Sequence, residues 1–184
     1  MYMRNNLENS YKKKLNHITT FIFDIDGVLT DGKVYITNEG DLLRTMHTKD
    51  GFAIKTALKK GYRVAVISGA QDENVIRRLK YLKIPDIFIK IQDKLPVFKQ
   101  YLKDNNLTSG EVLYMGDDIP DLPLLQRAGL SAAPRDAVQE VLDTVDYISH
   151  KNGGDTCVRD VIEQVLRVQG KWNFNPEKNE TAAN

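Results

Sequence analysis

Thr20-Phe21-Ile22-Phe23-Asp24-Ile25-Asp26-Gly27-Val28-Leu29-Thr30-Asp31-Gly32 is the stretch on which the reading of this chain turns. Its first four residues form a short, largely apolar run of the kind that fills a strand buried on both faces. Side chains on a strand repeat with a period of two, so Asp24 and Asp26 leave its carboxyl end on the same side. Gly27 then lets the backbone turn away sharply. Two carboxylates side by side repel, and a divalent cation offsets that cost; hard oxygen ligands suit magnesium. The segment predicts a metal-assisted site at the end of a parallel sheet.

Outward from this strand, segments rich in branched apolar residues recur at 63–67, 87–89, 111–115 and 147–148, with 130–132 a further short candidate. Amphipathic stretches separate them at 51–60, 72–82, 94–105, 120–128 and 136–142, and 155–168 closes the series. Gly61 and Gly129 fall where a helix C-terminus favours a left-handed residue. Strands alternating with helices imply right-handed crossovers and a parallel sheet covered on both faces. The fold class is α/β, a three-layer, doubly wound parallel sheet.

One insert breaks the alternation. Residues 33–48 lack a helical period, and Asn38-Glu39-Gly40-Asp41 separates two runs in which Val34, Ile36, Leu42 and Met46 recur at strand spacing. A β-hairpin flap is expected, standing over the carboxyl ends of the strands. An isolated two-stranded hairpin is marginal in water. Its apolar face needs cover, either from its own domain or from another copy of the chain. The expected organisation is an N-terminal extension at 1–18, one domain at 19–172 carrying the flap, and a polar, mobile tail at 173–184.

Composition narrows the function classes. The 184 residues are 41% hydrophobic and 28% charged, ordinary for one globular domain. A net charge of +1 gives no reason to expect nucleic acid as partner. The basic run Lys12-Lys13-Lys14 reads as a solvated face. Asp24 and Asp26 interrupt the apolar stretch that follows it, against a signal peptide, and no run is long enough for a membrane span. Cys157, the one cysteine, excludes an intramolecular disulfide and reads as a small packing residue of a cytoplasmic protein.

Ligands of an open parallel sheet bind outside the carboxyl ends of its strands, at points where strand order reverses. There the second strand runs into Ile67-Ser68-Gly69, a hydroxyl with backbone N–H groups suited to a phosphate oxygen. Lys94 opens the helix after the third strand. Gly116-Asp117-Asp118-Ile119-Pro120-Asp121 follows the fourth, a second acidic cluster where a metal site would be completed. Taken singly, Ser68 reads equally as a turn residue, Lys94 as a surface lysine and Asp117-Asp118 as a solvated loop. Together, in strand order, they describe a site.

These four segments, Asp24-Ile25-Asp26-Gly27-Val28-Leu29-Thr30, Ile67-Ser68-Gly69, Lys94 and Met115 to Asp121, resemble the four motifs of the haloacid dehalogenase-like phosphohydrolases. The likeness runs from Thr20 to about Lys171. Within that superfamily the chain is most similar to the phosphatases of 3-deoxy-D-manno-octulosonate 8-phosphate (KDO 8-phosphate), which serve lipopolysaccharide precursor synthesis. Residues 26–40, 47–54 and 116–137 carry the likeness, with Asn152-Gly153-Gly154, Val158-Arg159-Asp160 and Gln169-Gly170-Lys171. The resemblance implies Asp24 as nucleophile, forming an aspartyl-phosphate, and Asp26 as acid and then base. It implies magnesium held by Asp24, the Asp26 carbonyl and Asp117, with Ser68 and Lys94 on the phosphoryl group and Asp118 and Asp121 in support. His47, Thr48, Lys49, Asp50, Gly51, Lys55, Gly69 and Arg78, with Asp26 and Lys94, fall at substrate-contacting positions. The implied substrate is a sugar-acid phosphate, and the implied assembly is a homotetramer whose flaps and C-terminal tails roof neighbouring sites in place of a cap domain.

Two positions depart from the octulosonate pattern: Lys49 stands where arginine is usual, and Ala70 follows Ser68-Gly69 where arginine is common. Lys49 keeps the charge but loses the bidentate fork. A phosphatase of nonulosonate 9-phosphates is the alternative, although Lys49-Asp50-Gly51 favours the eight-carbon acid. A receiver-like phosphorylation switch is more remote, because there the acidic residues sit on separate strands.

Overall fold

The structure, a computed structural model, describes residues 11–174. The expectations for residues 1–10 and 175–184 lie outside the described residues. The strands are β1 (Thr20–Phe23), β2 (Tyr35–Ile36), β3 (Leu42–Leu43), β4 (Arg63–Ile67), β5 (Asp86–Phe88), β6 (Val112–Met115), β7 (Leu130–Ala133) and β8 (Tyr147–Ile148). The principal helices are α1 (Thr48–Lys59), α2 (Glu73–Tyr81), α3 (Lys94–Asp104), α4 (Leu122–Leu125), α5 (Gln139–Leu142) and α6 (Cys157–Val168).

Six strands form one parallel sheet in the order β5-β4-β1-β6-β7-β8, while β2 and β3 pair antiparallel as a separate hairpin. The chain first builds outward from β1 through β4 and β5, then returns to add β6, β7 and β8 on the other side. Strand order therefore reverses beside β1, and Asp24 leaves the sheet at that switch point.

Both faces of the sheet are covered, as the apolar run of β1 requires. Phe21 and Phe23 pack with Val64, Val66 and the buried residues of α1, α2 and α6. Ile22 points the other way, packing with Ala65, Ile67, Phe98, Leu124 and Val141 beneath α3, α4 and α5. Strand periodicity thus divides the core into two layers. Leu15 and Ile18 are buried in the first, and Gln169 donates from its side-chain amide to both their carbonyls at 2.8 Å. Residues 11–18 are thereby bound into the domain.

Several boundaries differ from the sequence reading. α1 starts at Thr48, three residues early, because the His47 ring Nδ1 accepts from the Lys49 N–H at 3.1 Å and caps it. The expected helix at 120–128 is a 3₁₀ turn, Ile119–Asp121, leading into the short α4. α5 begins only at Gln139, because Asp136 is used to accept from the Gly153 N–H at 2.8 Å. Gly61 adopts the left-handed conformation (φ +85°), but Gly129 does not. Gly129 is instead required for close approach: a Cβ there would lie 2.4 Å from the Gly110 carbonyl oxygen. Among the described residues, no helix is long and apolar enough to cross a membrane.

Candidate active site

Asp24 follows directly on the buried end of β1 and is itself 7% exposed. Its Oδ1 accepts from the Ile25 N–H at 2.7 Å, and its Oδ2 lies 2.8 Å from Lys94 Nζ. The Ser68 hydroxyl also bonds the Asp24 side chain, which places β4's carboxyl end against β1's. Lys94, the first residue of α3, sits between Asp24 and Asp121, 2.7 Å from Asp121 Oδ1. Burial works against its charge, yet the two carboxylates outweigh burial and raise its pKa. Lys94 is a cation throughout the working range.

Asp121 is fully committed. Its Oδ1 accepts from Lys94 and from the Tyr114 hydroxyl, and its Oδ2 accepts from the Asp117 and Asp118 N–H groups at 3.0 and 3.3 Å. Burial and then the Asp121 charge push Tyr114 well above the usual phenol range, so its hydroxyl stays a donor. Asp121 is therefore the group that orients Lys94. Asp118, named with it from the sequence, does not: it is exposed and caps the turn by accepting from the Ile119 N–H at 2.7 Å.

Asp24, Asp117 and Asp121 bring carboxylate oxygens within 4.8 Å of one another. Fully ionised, three carboxylates against one lysine would leave two negative charges, the complement of a divalent cation. Asp117 Oδ1 is buried without a hydrogen-bond partner among the described residues. Its acid is pushed up to about 8, first by burial and then by Asp121 and Asp24. Asp121 has no free lone pair in a useful direction, whereas Asp117 does, and hard oxygen donors suit magnesium. Gly27 is needed here for two reasons: it turns with φ +78°, and a Cβ would fall 1.9 Å from Asp117 Oδ2. The loop at 153–154 presses on the same turn, with the Gly154 N–H donating to the Val28 carbonyl at 2.9 Å.

Asp26 points elsewhere. Its side chain is 38% exposed and is gripped by Arg44 of the flap, with Nε 2.7 Å from Oδ1 and Nη2 3.1 Å from Oδ2. Arg44 Nη1 reaches Asp72 Oδ2 at 2.9 Å. Sequence reading missed both Arg44 and Asp72. Nothing in the alternation of 33–48 distinguishes Arg44 from a solvated charge, and Asp72 reads only as a helix cap.

The expected substrate-contacting residues do not form one patch within the chain. Gly69 is exposed in the loop after Ser68, and half-buried His47 caps α1. Arg78 shares a cavity of about 270 Å³ with Arg44, Asp72 and the flap's Leu42, Leu43 and Met46. Lys55 joins Arg78 over the Tyr81 ring, 4.5 Å and 5.3 Å from its centroid. Thr48 and Lys49 open instead onto a shallow cleft with Phe52, Arg159, Trp172 and Phe174.

Asp50 and Gly51 are both buried within the chain. Asp50 is 2% exposed and accepts from the Arg159 N–H at 2.7 Å, capping α6 where Thr156 offers no side-chain cap. Gly51 is buried beneath Arg78 and Leu82.

Comparison with known proteins agrees with this architecture. A family model described as haloacid dehalogenase-like hydrolase matches residues 83–162. The chain is 35% identical over 158 residues to the 3-deoxy-D-manno-octulosonate 8-phosphate phosphatase KdsC of Salmonella typhi, covering 86% of this chain and 84% of that one. The crystal structure of a probable phosphatase from Pseudomonas syringae superposes with a TM-score of 0.87 at 36% identity, over 89% of this chain and 93% of that one. The Moraxella catarrhalis KDO 8-phosphate phosphatase, solved with magnesium, phosphate and KDO, superposes with a TM-score of 0.86 at 31% identity, over 89% and 94%. On sequence, fold and the arrangement of its acidic loops, the chain belongs to the haloacid dehalogenase-like hydrolases, in the family of the 3-deoxy-D-manno-octulosonate 8-phosphate phosphatases.

Proposed function

We propose that this chain hydrolyses KDO 8-phosphate to KDO and phosphate with magnesium, through an aspartyl-phosphate on Asp24. The observation that carries the reading is Lys94 Nζ wedged between Asp24 and Asp121, beside an Asp117 oxygen with no partner among the described residues.

The electrostatics explain why such a floor is needed. Each pair of like unit charges 4 Å apart costs about 4 kcal/mol at an effective dielectric of 20, and a phosphate dianion meets several carboxylates here. The Asp24 and Asp117 carboxylates and the Asp26 carbonyl would hold magnesium, whose charge would offset that of the attacking carboxylate and the phosphoryl oxygens. Lys94 adds one further positive charge, and Ser68 with its neighbouring N–H groups holds the phosphoryl in line.

Asp24 then attacks phosphorus, and the bond from phosphorus to the sugar oxygen breaks as Asp26 gives that oxygen a proton. In the second half, Asp26 takes a proton from water. That water's oxygen bonds to phosphorus, and the Asp24–phosphorus bond breaks to release phosphate. Asp24 and Asp26 are restored.

The reading extends to assembly and compartment. Exposed Val34, Tyr35, Ile36, Leu42 and Leu43 on the flap support a homotetramer in which one subunit's flap meets its neighbour. Lys49 and the Phe52–Trp172–Phe174 cleft, away from the Arg44 cavity, fit contact across such an interface. Cytoplasmic residence accords with the single buried thiol Cys157.

Phosphate release from KDO 8-phosphate, a nonulosonate 9-phosphate and simple hexose phosphates, with and without magnesium, tests the proposal. A strong preference for the eight-carbon acid and loss of turnover with chelator are the expected results. Equal rates across the panel would leave the chemistry and remove the substrate assignment.

A further inference from the structure

We infer that Arg44 is the positioning residue that aligns the Asp26 carboxyl with the leaving group, so that seating the flap and aiming the acid are one event. The inference rests on the phosphatase reading above and assigns a residue to it that the four motifs do not contain.

Arg44 uses Nε and Nη2 on the two oxygens of Asp26, a fork that fixes both the direction and the plane of the carboxylate. Its remaining arm, Nη1, is held by Asp72 Oδ2. Asp72 is itself immobilised, because its Oδ1 caps α2 by accepting from the Asn74 and Val75 N–H groups at 2.8 and 3.3 Å. Thr30 Oγ1 bonds Asp26 Oδ1 at 3.3 Å from the opposite side. A continuous chain of contacts thus runs from the end of α2 through Asp72 and Arg44 to Asp26.

Arg44 belongs to the flap, yet its side chain is only 9% exposed, in contrast to the apolar residues around it. A guanidinium this buried, between two carboxylates from different loops, tethers β3 to the domain. It lines the cavity shared with Arg78 and Asp72 while also holding Asp26, so a sugar in that cavity would lie near the acid. Asp26 is half-buried in the turn that follows β1, and beyond Arg44 the contact described to its carboxyl is that of Thr30, so its orientation depends on this tether.

Leaving-group dependence separates alignment of an acid from mere support of the fold. A sugar alkoxide needs a proton to depart, whereas p-nitrophenolate does not. In Arg44→Ala, kcat/KM for KDO 8-phosphate falls tenfold to a hundredfold, the scale of a misplaced catalytic group, while kcat/KM for p-nitrophenyl phosphate falls less than threefold. Arg44→Lys, which keeps the charge without the fork, gives an intermediate loss with the same selectivity. Asp72→Asn retains a capping side chain and gives a smaller loss in the same direction. Hydrogen exchange of the flap amides speeds up in Arg44→Ala. Equal losses on both substrates, or no loss, overturn the alignment role, and unchanged flap exchange overturns the tether. Wild-type protein silent on both substrates would sink the phosphatase reading instead, and flap exchange would still decide the tether.

Discussion

At the floor of the site, Asp24, Lys94 and Asp121 are at most 7% exposed and bound to one another, whereas in the flap above it Tyr35 and Ile36 are 56% and 75% exposed. The floor is rigid because burial makes every unsatisfied charge expensive, so each carboxylate oxygen there has been given a donor or left for a cation. The flap has two short strands, no core of its own and apolar side chains turned outward. Fixed charges are placed at the end of the sheet, whereas the flap presents apolar side chains to solvent. Arg44 is where the two regions touch.

If that contrast is right, substitutions in the floor and in the flap must fail differently. Asp24→Asn is expected to lower kcat by on the order of 10⁴-fold or more, while the melting temperature holds or rises. Burial and the facing Asp121 charge raise the Asp24 pKa, so removing its charge relieves a cost. Residual activity above that level, measured by single-turnover phosphate release, would break the nucleophile assignment.

Lys94→Met tests the floor as structure as well as chemistry. It leaves Asp24 and Asp121 facing each other unpaired, so urea melts are expected to show a loss of about 3–5 kcal/mol together with loss of turnover. A variant with wild-type stability would mean that the lysine is not the counter-charge described.

Asp50 probes the layer just behind the site. Burial, the largest cause, raises its pKa from 3.8 to about 6. Folding then favours its protonated form, so this contribution is present below about pH 4 and is lost as pH rises through about 6. Asp50→Asn is expected to remove a fall of about 3 kcal/mol from the stability–pH curve between those limits, as read by denaturant titration. An unaltered slope would show that another group carries it.

The smallest effect on the fold is expected in the flap. Ile36→Asn is expected to change stability by less than about 0.5 kcal/mol, since the side chain is mostly in solvent. On a sizing column the same variant is expected to elute as a smaller species than wild type. An unchanged elution volume would remove the flap from the assembly and sharpen its role to the substrate alone.

Much of this was legible in the residues. The apolar run ending in Asp24-Ile25-Asp26-Gly27, the hydroxyl after the second strand, Lys94 and the second acidic loop all report local rules, namely strand period, turn chemistry and position at a strand's carboxyl end. The hairpin was visible as a change of period at 33–48. Asp50 entered only as a position implied by the resemblance, and packing alone reveals that it caps a helix begun more than a hundred residues later.

The sequence by itself determined the parallel sheet, the end of it that does chemistry and the donors placed there, because burial and strand period act over a few residues. The tertiary structure alone decided the partners: Asp121 rather than Asp118 on Lys94, Asp50 on α6, and Arg44 between Asp26 and Asp72. Those pairings join residues distant along the chain, and their geometry is set by how α1, α2, α3 and the flap pack onto the sheet, which no local pattern encodes.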